Sequence, residues 1–136
     1  MQIEKEAAAV RRMKPRITIS AEDYERLLVL AHAAMNRMPD LASELVEELE
    51  RAHVLAKGHH PEHTVRMGSL VQFRDDTTGR VQTITLVYPG EADISQGTIS
   101  VLTPVGTALI GLQAGHSIAW ETPAGETREL TVLNVL

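Results

Sequence analysis

Residues Thr98 to Trp120 read TISVLTPVGTALIGLQAGHSIAW, and Glu121 to Val135 continue with ETPAGETRELTVLNV. The wording predicts a strand, a short capped helix, a turn, a strand, a hairpin and a final strand. Thr103 is placed to cap the helix, its side-chain oxygen accepting a backbone N–H of the first turn. Pro104 takes the first helical position, where a missing N–H costs nothing. Gly111 stands where a helix exit favours a residue tolerant of positive φ. One short helix, Pro104 to Ile110, is therefore expected between two strands.

Outward from that stretch, the chain from Thr64 onward predicts a small, mainly antiparallel sheet. Val65 and Met67, Leu70 to Phe73, Val81 to Tyr88, Thr98 to Leu102, Ser117 to Glu121 and Arg128 to Leu136 are separated by turn-forming clusters. Asp76-Thr77-Thr78-Gly79 and Thr122-Pro123-Ala124-Gly125 each suit a tight hairpin, with Gly supplying positive φ and Pro123 presetting its own. In the long strand, Val81, Thr83, Thr85 and Val87 share one face, while Gln82, Ile84, Leu86 and Tyr88 share the other. Both faces carry apolar residues, as expected when a sheet packs a helix on one side and meets a neighbour on the other.

Upstream lie two helical patterns. Ser20 is a candidate N-cap with Asp23 three residues on, in a capping-box-like position. Tyr24, Leu27, Leu28, Ala31, Met35 and Met38 then recur at helical spacing. Met38-Pro39-Asp40 interrupts the stripe. Asp40 is placed to cap a second helix, whose Leu41, Leu45, Leu49, Ala52 and Ala56 form a complementary stripe with Gly58 as its stop. A short connection favours burying the two stripes against each other in an antiparallel hairpin. A first helix from about Ala21 to Arg37 would span roughly 25 Å at the usual rise.

The combination resembles the C-terminal domain of the bacterial Gre transcript-cleavage factors and of the nucleoside diphosphate kinase regulators of the Rnk family. The residues that carry the likeness are Thr103-Pro104, Ala108-Leu109-Ile110-Gly111, Gly115 and Thr122-Pro123-Ala124-Gly125. Leu86-Val87-Tyr88-Pro89 resembles Rnk proteins, since Gre proteins usually carry Gly where Tyr88 stands. The likeness runs from about Ile17 to the end of the chain. It implies an α+β protein, in which a short N-terminal antiparallel helical hairpin precedes an FKBP-like antiparallel sheet with one short helix. The expected division is a basic tail over 1–16, the hairpin over 17–58, a linker over 59–63 and the Gre/Rnk C-terminal domain over 64–136.

Gre factors place acidic residues at the tip of a long hairpin, where carboxylates help hold a second Mg²⁺ in the polymerase active site. The corresponding Gre wording is Asp-Leu-Ser-Glu-Asn. The nearest text here is Asp40-Leu41-Ala42-Ser43-Glu44, which sets the second acid one position late. The hairpin is also short for such reach. The resemblance therefore implies a non-enzymatic transcription regulator that binds RNA polymerase near its secondary channel and competes with Gre-type factors without stimulating cleavage. Effects on nucleoside diphosphate kinase would be indirect. The alternative is a Gre-like cleavage factor using Asp40 and Glu44. Exposed positions near Tyr88, Pro89, Glu91 and Asp93 are the expected partner contacts, because the loop is rich in turn and acidic residues and loops commonly carry recognition; the competing assignment is that Tyr88 and Pro89 simply end a strand. Prolyl isomerisation, suggested by the FKBP-like fold, has little support from three scattered aromatics, Phe73, Tyr88 and Trp120.

Composition bounds these expectations. A chain of 136 residues with 43% hydrophobic content can build a real core, and with four aromatics that core must be aliphatic. There are no cysteines for disulfides or thiolate metal sites. Neither a signal-like nor a membrane-spanning stretch is present, so a cytoplasmic location without membrane contact is expected. Before Ile17, five basic residues face two acids, whereas Ile17 to Gly58 and His59 to Leu136 each carry eight acids against four bases. Such an acidic body disfavours direct nucleic-acid binding. His53, His59, His60 and His63 crowd the linker, but Gly58 and Pro61 interrupt any helix that would align their rings on a metal. No phosphate-cradling loop, nucleophile elbow or triad pattern appears, and no cofactor or metal is expected.

Overall fold

The computed structural model describes residues 14–136. Of the expected basic tail, only Lys14, Pro15 and Arg16 therefore fall within the described residues. The chain begins with β1 (Thr18–Ile19), α1 (Ala21–Ala34), α2 (Pro39–Arg51) and β2 (His53–Val54). It continues through β3 (Leu70–Asp75), β4 (Val81–Val87), β5 (Thr98–Ser100), α3 (Pro104–Leu109), β6 (Ser117–Glu121) and β7 (Thr127–Val135). The architecture is the expected α+β arrangement, with two helices ahead of a five-stranded sheet of order β5-β4-β3-β7-β6.

The start of α1 is built as its sequence suggests, the Ser20 side chain accepting the Asp23 N–H at 3.2 Å. Asp23 does not close a reciprocal box. Its carboxylate instead accepts the N–H of Met67 at 3.2 Å, tying the helix to the chain that enters the sheet. The second helix differs at both ends from its expected form. Pro39 occupies the first turn and Met38 is the N-cap, without a side-chain hydrogen bond. Asp40 thus lies inside the helix rather than capping it, because the fixed φ of proline suits the first helical position. At the other end α2 stops at Arg51, well before Gly58, and Ala52 and Ala56 are not part of its stripe. Ala52 is extended, and the next residues form β2, which pairs in parallel with β1 in the register Thr18↔His53 and Ile19↔Val54. The backbone bonds His53 N–H to Ile17 and Leu55 N–H to Ile19, both 2.9 Å, replace the helical bonds that continuation would have made.

The sheet is mixed rather than wholly antiparallel. β3 pairs with β4 and β7, and β6 with β7, in antiparallel fashion, but β5 runs parallel to β4. A parallel neighbour requires the chain to return before pairing, and Tyr88 to Gly97 makes that return through two single-turn 3₁₀ helices, Pro89–Glu91 and Ile94–Gln96. Val65 and Met67 form no strand; Val65 exchanges backbone bonds with Gly111 and Leu112 instead. The two tight hairpins are as expected, with Gly79 at φ 75° and Gly125 at φ 85°.

α3 carries its predicted cap, the Thr103 oxygen accepting the Gly106 N–H at 3.0 Å, with Pro104 in its first turn. Gly106 lets the helix lie directly against the end of β5, since a Cβ there would sit 2.2 Å from the Ser100 carbonyl oxygen. Gly111, at φ 79°, brings the helix exit against β1, where an added Cβ would meet Ile17 Cβ at 2.8 Å. The buried set is continuous. Leu27, Ala31, Leu45 and Leu49 from the hairpin join Ile17 and Ile19, and the same cluster includes Val71, Leu86, Leu109, Leu112, Leu130 and Val132.

Candidate functional site

The return loop after β4 holds the four expected contact residues. Tyr88 caps the first 3₁₀ turn without a side-chain bond, and Pro89 begins it. Asp93 caps the second turn, its carboxylate accepting from the Ser95 N–H at 3.0 Å and the Ser95 hydroxyl at 2.6 Å. The Thr98 hydroxyl accepts the Asp93 N–H at 2.6 Å and closes the loop onto β5. Gly97, at φ 75°, completes the exit. Pro89, Glu91 and Asp93 are exposed. The carboxylate of Asp93 is thus engaged in shaping the loop.

Tyr88 is placed differently. It is half-buried and packs against the core, with the Arg26 guanidinium of α1 4.2 Å above the centre of its ring. Its hydroxyl is buried without a hydrogen-bond partner. Burial pushes the phenol above its ordinary value, Asp23 and Glu91 adding to the shift and Arg26 opposing it. Tyr88 therefore follows the end of its strand and also touches the hairpin.

Beside the loop runs an apolar groove of about 410 Å³, lined by Ile94, Ile99, Pro104, Val105, Trp120 and Pro123 among others. Ile94 is 87% exposed at its rim. Neither Ile94 nor Arg26 was singled out by pattern. For Ile94 the available signal was an apolar residue inside a polar turn cluster; for Arg26, whose partner lies across the fold, there was none.

Asp40 and Glu44 stand one turn apart on α2, both exposed. Glu44 does not stand at the end of the hairpin. It lines a groove of about 220 Å³ between α2, α3 and β6, together with Lys14, Glu47, Glu48 and Glu121. Partial desolvation along this groove pushes its carboxyl above the ordinary value, with Glu121 the largest charged contributor and Lys14 opposing. Glu48, deeper in the same wall, is paired with Lys14 at 3.3 Å and with Arg51 at 2.6 Å. The hairpin's turn, Met35 to Met38, carries one charged residue, Arg37, and Asp40 follows in the first turn of α2. Among the described residues, no three His, Asp or Glu side chains are grouped to hold a metal ion. In the linker, His63 adopts φ 53°. No described helix is long and apolar enough to cross a membrane.

Comparison with known proteins follows the same two-part division. Residues 15–55 match the Rnk N-terminus model, and residues 60–136 match the C-terminal model of the transcription elongation factors GreA/GreB. The regulator of nucleoside diphosphate kinase from Escherichia coli (strain K12) is 40% identical over 123 residues, which is 90% of each chain. The chain belongs to the Rnk family. The chain is also similar to transcription elongation factors. GreA of Syntrophobacter fumaroxidans is 36% identical over 92 residues, covering 68% of this chain and 58% of that protein. The solved structure of a prokaryotic transcription elongation factor GreA/GreB from Nitrosomonas europaea is 38% identical, covers 90% of this chain and 98% of that one, and superposes with a TM-score of 0.68. The family membership and the Gre-like C-terminal fold expected from Thr103-Pro104 and Ala108 to Gly111 are thereby established.

Proposed function

We propose that this Rnk-family protein is a cytoplasmic, non-enzymatic regulator of transcription that docks on RNA polymerase near the secondary channel and competes there with Gre-type factors. The docking surface in this reading is the exposed loop containing Pro89, Glu91 and Asp93, together with the adjoining apolar groove. Any influence on nucleoside diphosphate kinase, the property in the name of the Escherichia coli relative, is then a consequence of altered transcription. The observation that carries the absence of cleavage is the position of Glu44. It lines a groove against the body with Glu121 and Glu47, leaving Asp40, in the first turn of α2, as the acid nearest the hairpin's end. The helices also limit reach, since α1, with 14 residues, is about 21 Å long.

The test is capture of purified core RNA polymerase by the full chain, with and without excess Gre factor, alongside cleavage assays on stalled complexes. Capture that Gre displaces, with no gain in cleavage, is the expected result. Failure to bind polymerase would remove the docking reading. Stimulated cleavage that Asp40→Ala with Glu44→Ala abolishes would assign the chain to the cleavage factors instead.

A further inference from the structure

We infer that Tyr88 and Arg26 act as positioning residues that hold the helical hairpin at one angle to the sheet. The hairpin is rooted in the two-residue ribbon of β1 and β2, bound to the body where the Thr18 N–H donates to the Gly111 carbonyl at 3.1 Å. A ribbon this short fixes where the hairpin begins more firmly than the direction in which it points. Direction has to come from contacts farther along the helices.

On the α2 side, that contact is packing against α3. On the α1 side, Leu27, Ala31 and Ala34 pack into the core, and three further ties flank them within the first two turns of the helix. Glu22 accepts the Gly58 N–H at 3.1 Å, Asp23 accepts the Met67 N–H at 3.2 Å, and Arg26 covers the Tyr88 ring at 4.2 Å. Of these three ties outside the core, the Tyr88 contact lies farthest along α1 from the root, about one turn beyond Glu22. Tyr88 suits the role because its ring meets both the core and the guanidinium. It packs into the same core cluster as Leu86, and it offers the guanidinium an aromatic surface. Its own position is set by β4 before it and by Pro89 after it, so the ring is mounted on a stiff support. The phenol oxygen contributes no hydrogen bond, which assigns the function to the ring and not to the hydroxyl. The inference rests on the polymerase reading only for its use: a hairpin held at one angle presents its turn to a docked partner without first having to reorient.

The absence of cysteine allows a direct test. Spin labels on cysteines introduced at the exposed positions Arg37, in the hairpin turn, and Thr78, in the β3–β4 turn, report the angle as a distance distribution in the full chain. The parent, Tyr88→Phe and Arg26→Lys are expected to give one narrow component. Tyr88→Leu, which keeps an apolar side chain but loses the ring, and Arg26→Gln, an exposed change that leaves the core intact, are each expected to broaden the distribution or add a second component. Distributions for Tyr88→Leu and Arg26→Gln that superimpose on the parent would overturn the inference. So would a Tyr88→Phe distribution as broad as that of Tyr88→Leu, because the hydroxyl would then be the operative group. No polymerase enters the measurement, so its outcome is independent of whether the docking surface is assigned correctly.

Discussion

At the scale of single residues, the Tyr88 hydroxyl combines burial with the lack of a partner. A polar group in that state costs the fold its desolvation. Tyr88→Phe is therefore expected to be as stable as the parent at neutral pH, or more stable by up to about 1 kcal/mol. The alkaline limb should separate them further. The phenol is raised above its ordinary 10.0, first by burial and then by Asp23, so the folded state holds the protonated form. That contribution is fully present below pH 10 and is lost as pH rises through the raised folded value. Urea unfolding across the alkaline range should show the parent losing stability more steeply than Tyr88→Phe; parallel curves would refute the shift. The residues legible from sequence were those with local duties. Ser20, Thr103, Gly79 and Gly111 each perform a task set by neighbours within a few positions, and each is found performing it. Asp40 was misassigned because the adjacent Pro39 competes for the same helix start. The roles of Asp23 and Arg26 were hidden because their partners, Met67 and Tyr88, lie far along the chain.

Elements show the same division between local and distant causes. The apolar stripe of α2 gave its existence and buried face, yet the stripe's apparent continuation through Ala52 and Ala56 was misleading. The helix ends where β2 can pair with β1, and that pairing depends on residues at Ile17 and Ile19, beyond any local period. The parallel placement of β5 was illegible for a related reason: Tyr88 to Gly97 carries turn chemistry suitable for a hairpin, and only the packing of the return loop decides direction. α3, by contrast, is written almost completely in its own residues. Its least conspicuous requirement is Gly106, where a Cβ would lie 2.2 Å from the Ser100 carbonyl oxygen and 2.8 Å from Val101 Cα. Both obstacles are backbone, so neither can rotate away. Although alanine is the better helix former in isolation, Gly106→Ala is expected to destabilise the protein by about 1–3 kcal/mol through overpacking. Thermal unfolding reads this directly, and a melting temperature at or above the parent's would show that α3 can lift from β5 without cost.

Across the whole molecule, the Rnk-type and Gre-type segments meet in one buried cluster. Leu45 on α2 is fully buried in the cluster that also contains Leu109 of α3, Leu112 and the sheet residues Val71 and Leu130. The shared core makes hairpin and sheet thermodynamic neighbours, although family models match them as separate segments. Leu45→Ala removes a core side chain and leaves a cavity, for which the expected cost is about 2–5 kcal/mol. Where that loss appears is the informative part. If the shared core couples the two segments, the variant should unfold in one transition at lower denaturant, and amide exchange should accelerate in β3 and β4 as well as in α1 and α2. A hairpin that was only appended to the sheet would respond differently: helix amides would lose protection, those of β3 and β4 would keep the parent's rates, and unfolding would split into two steps. The coupled outcome follows from the single buried cluster that holds Leu45 together with Ile17, Ile19, Val71 and Leu130.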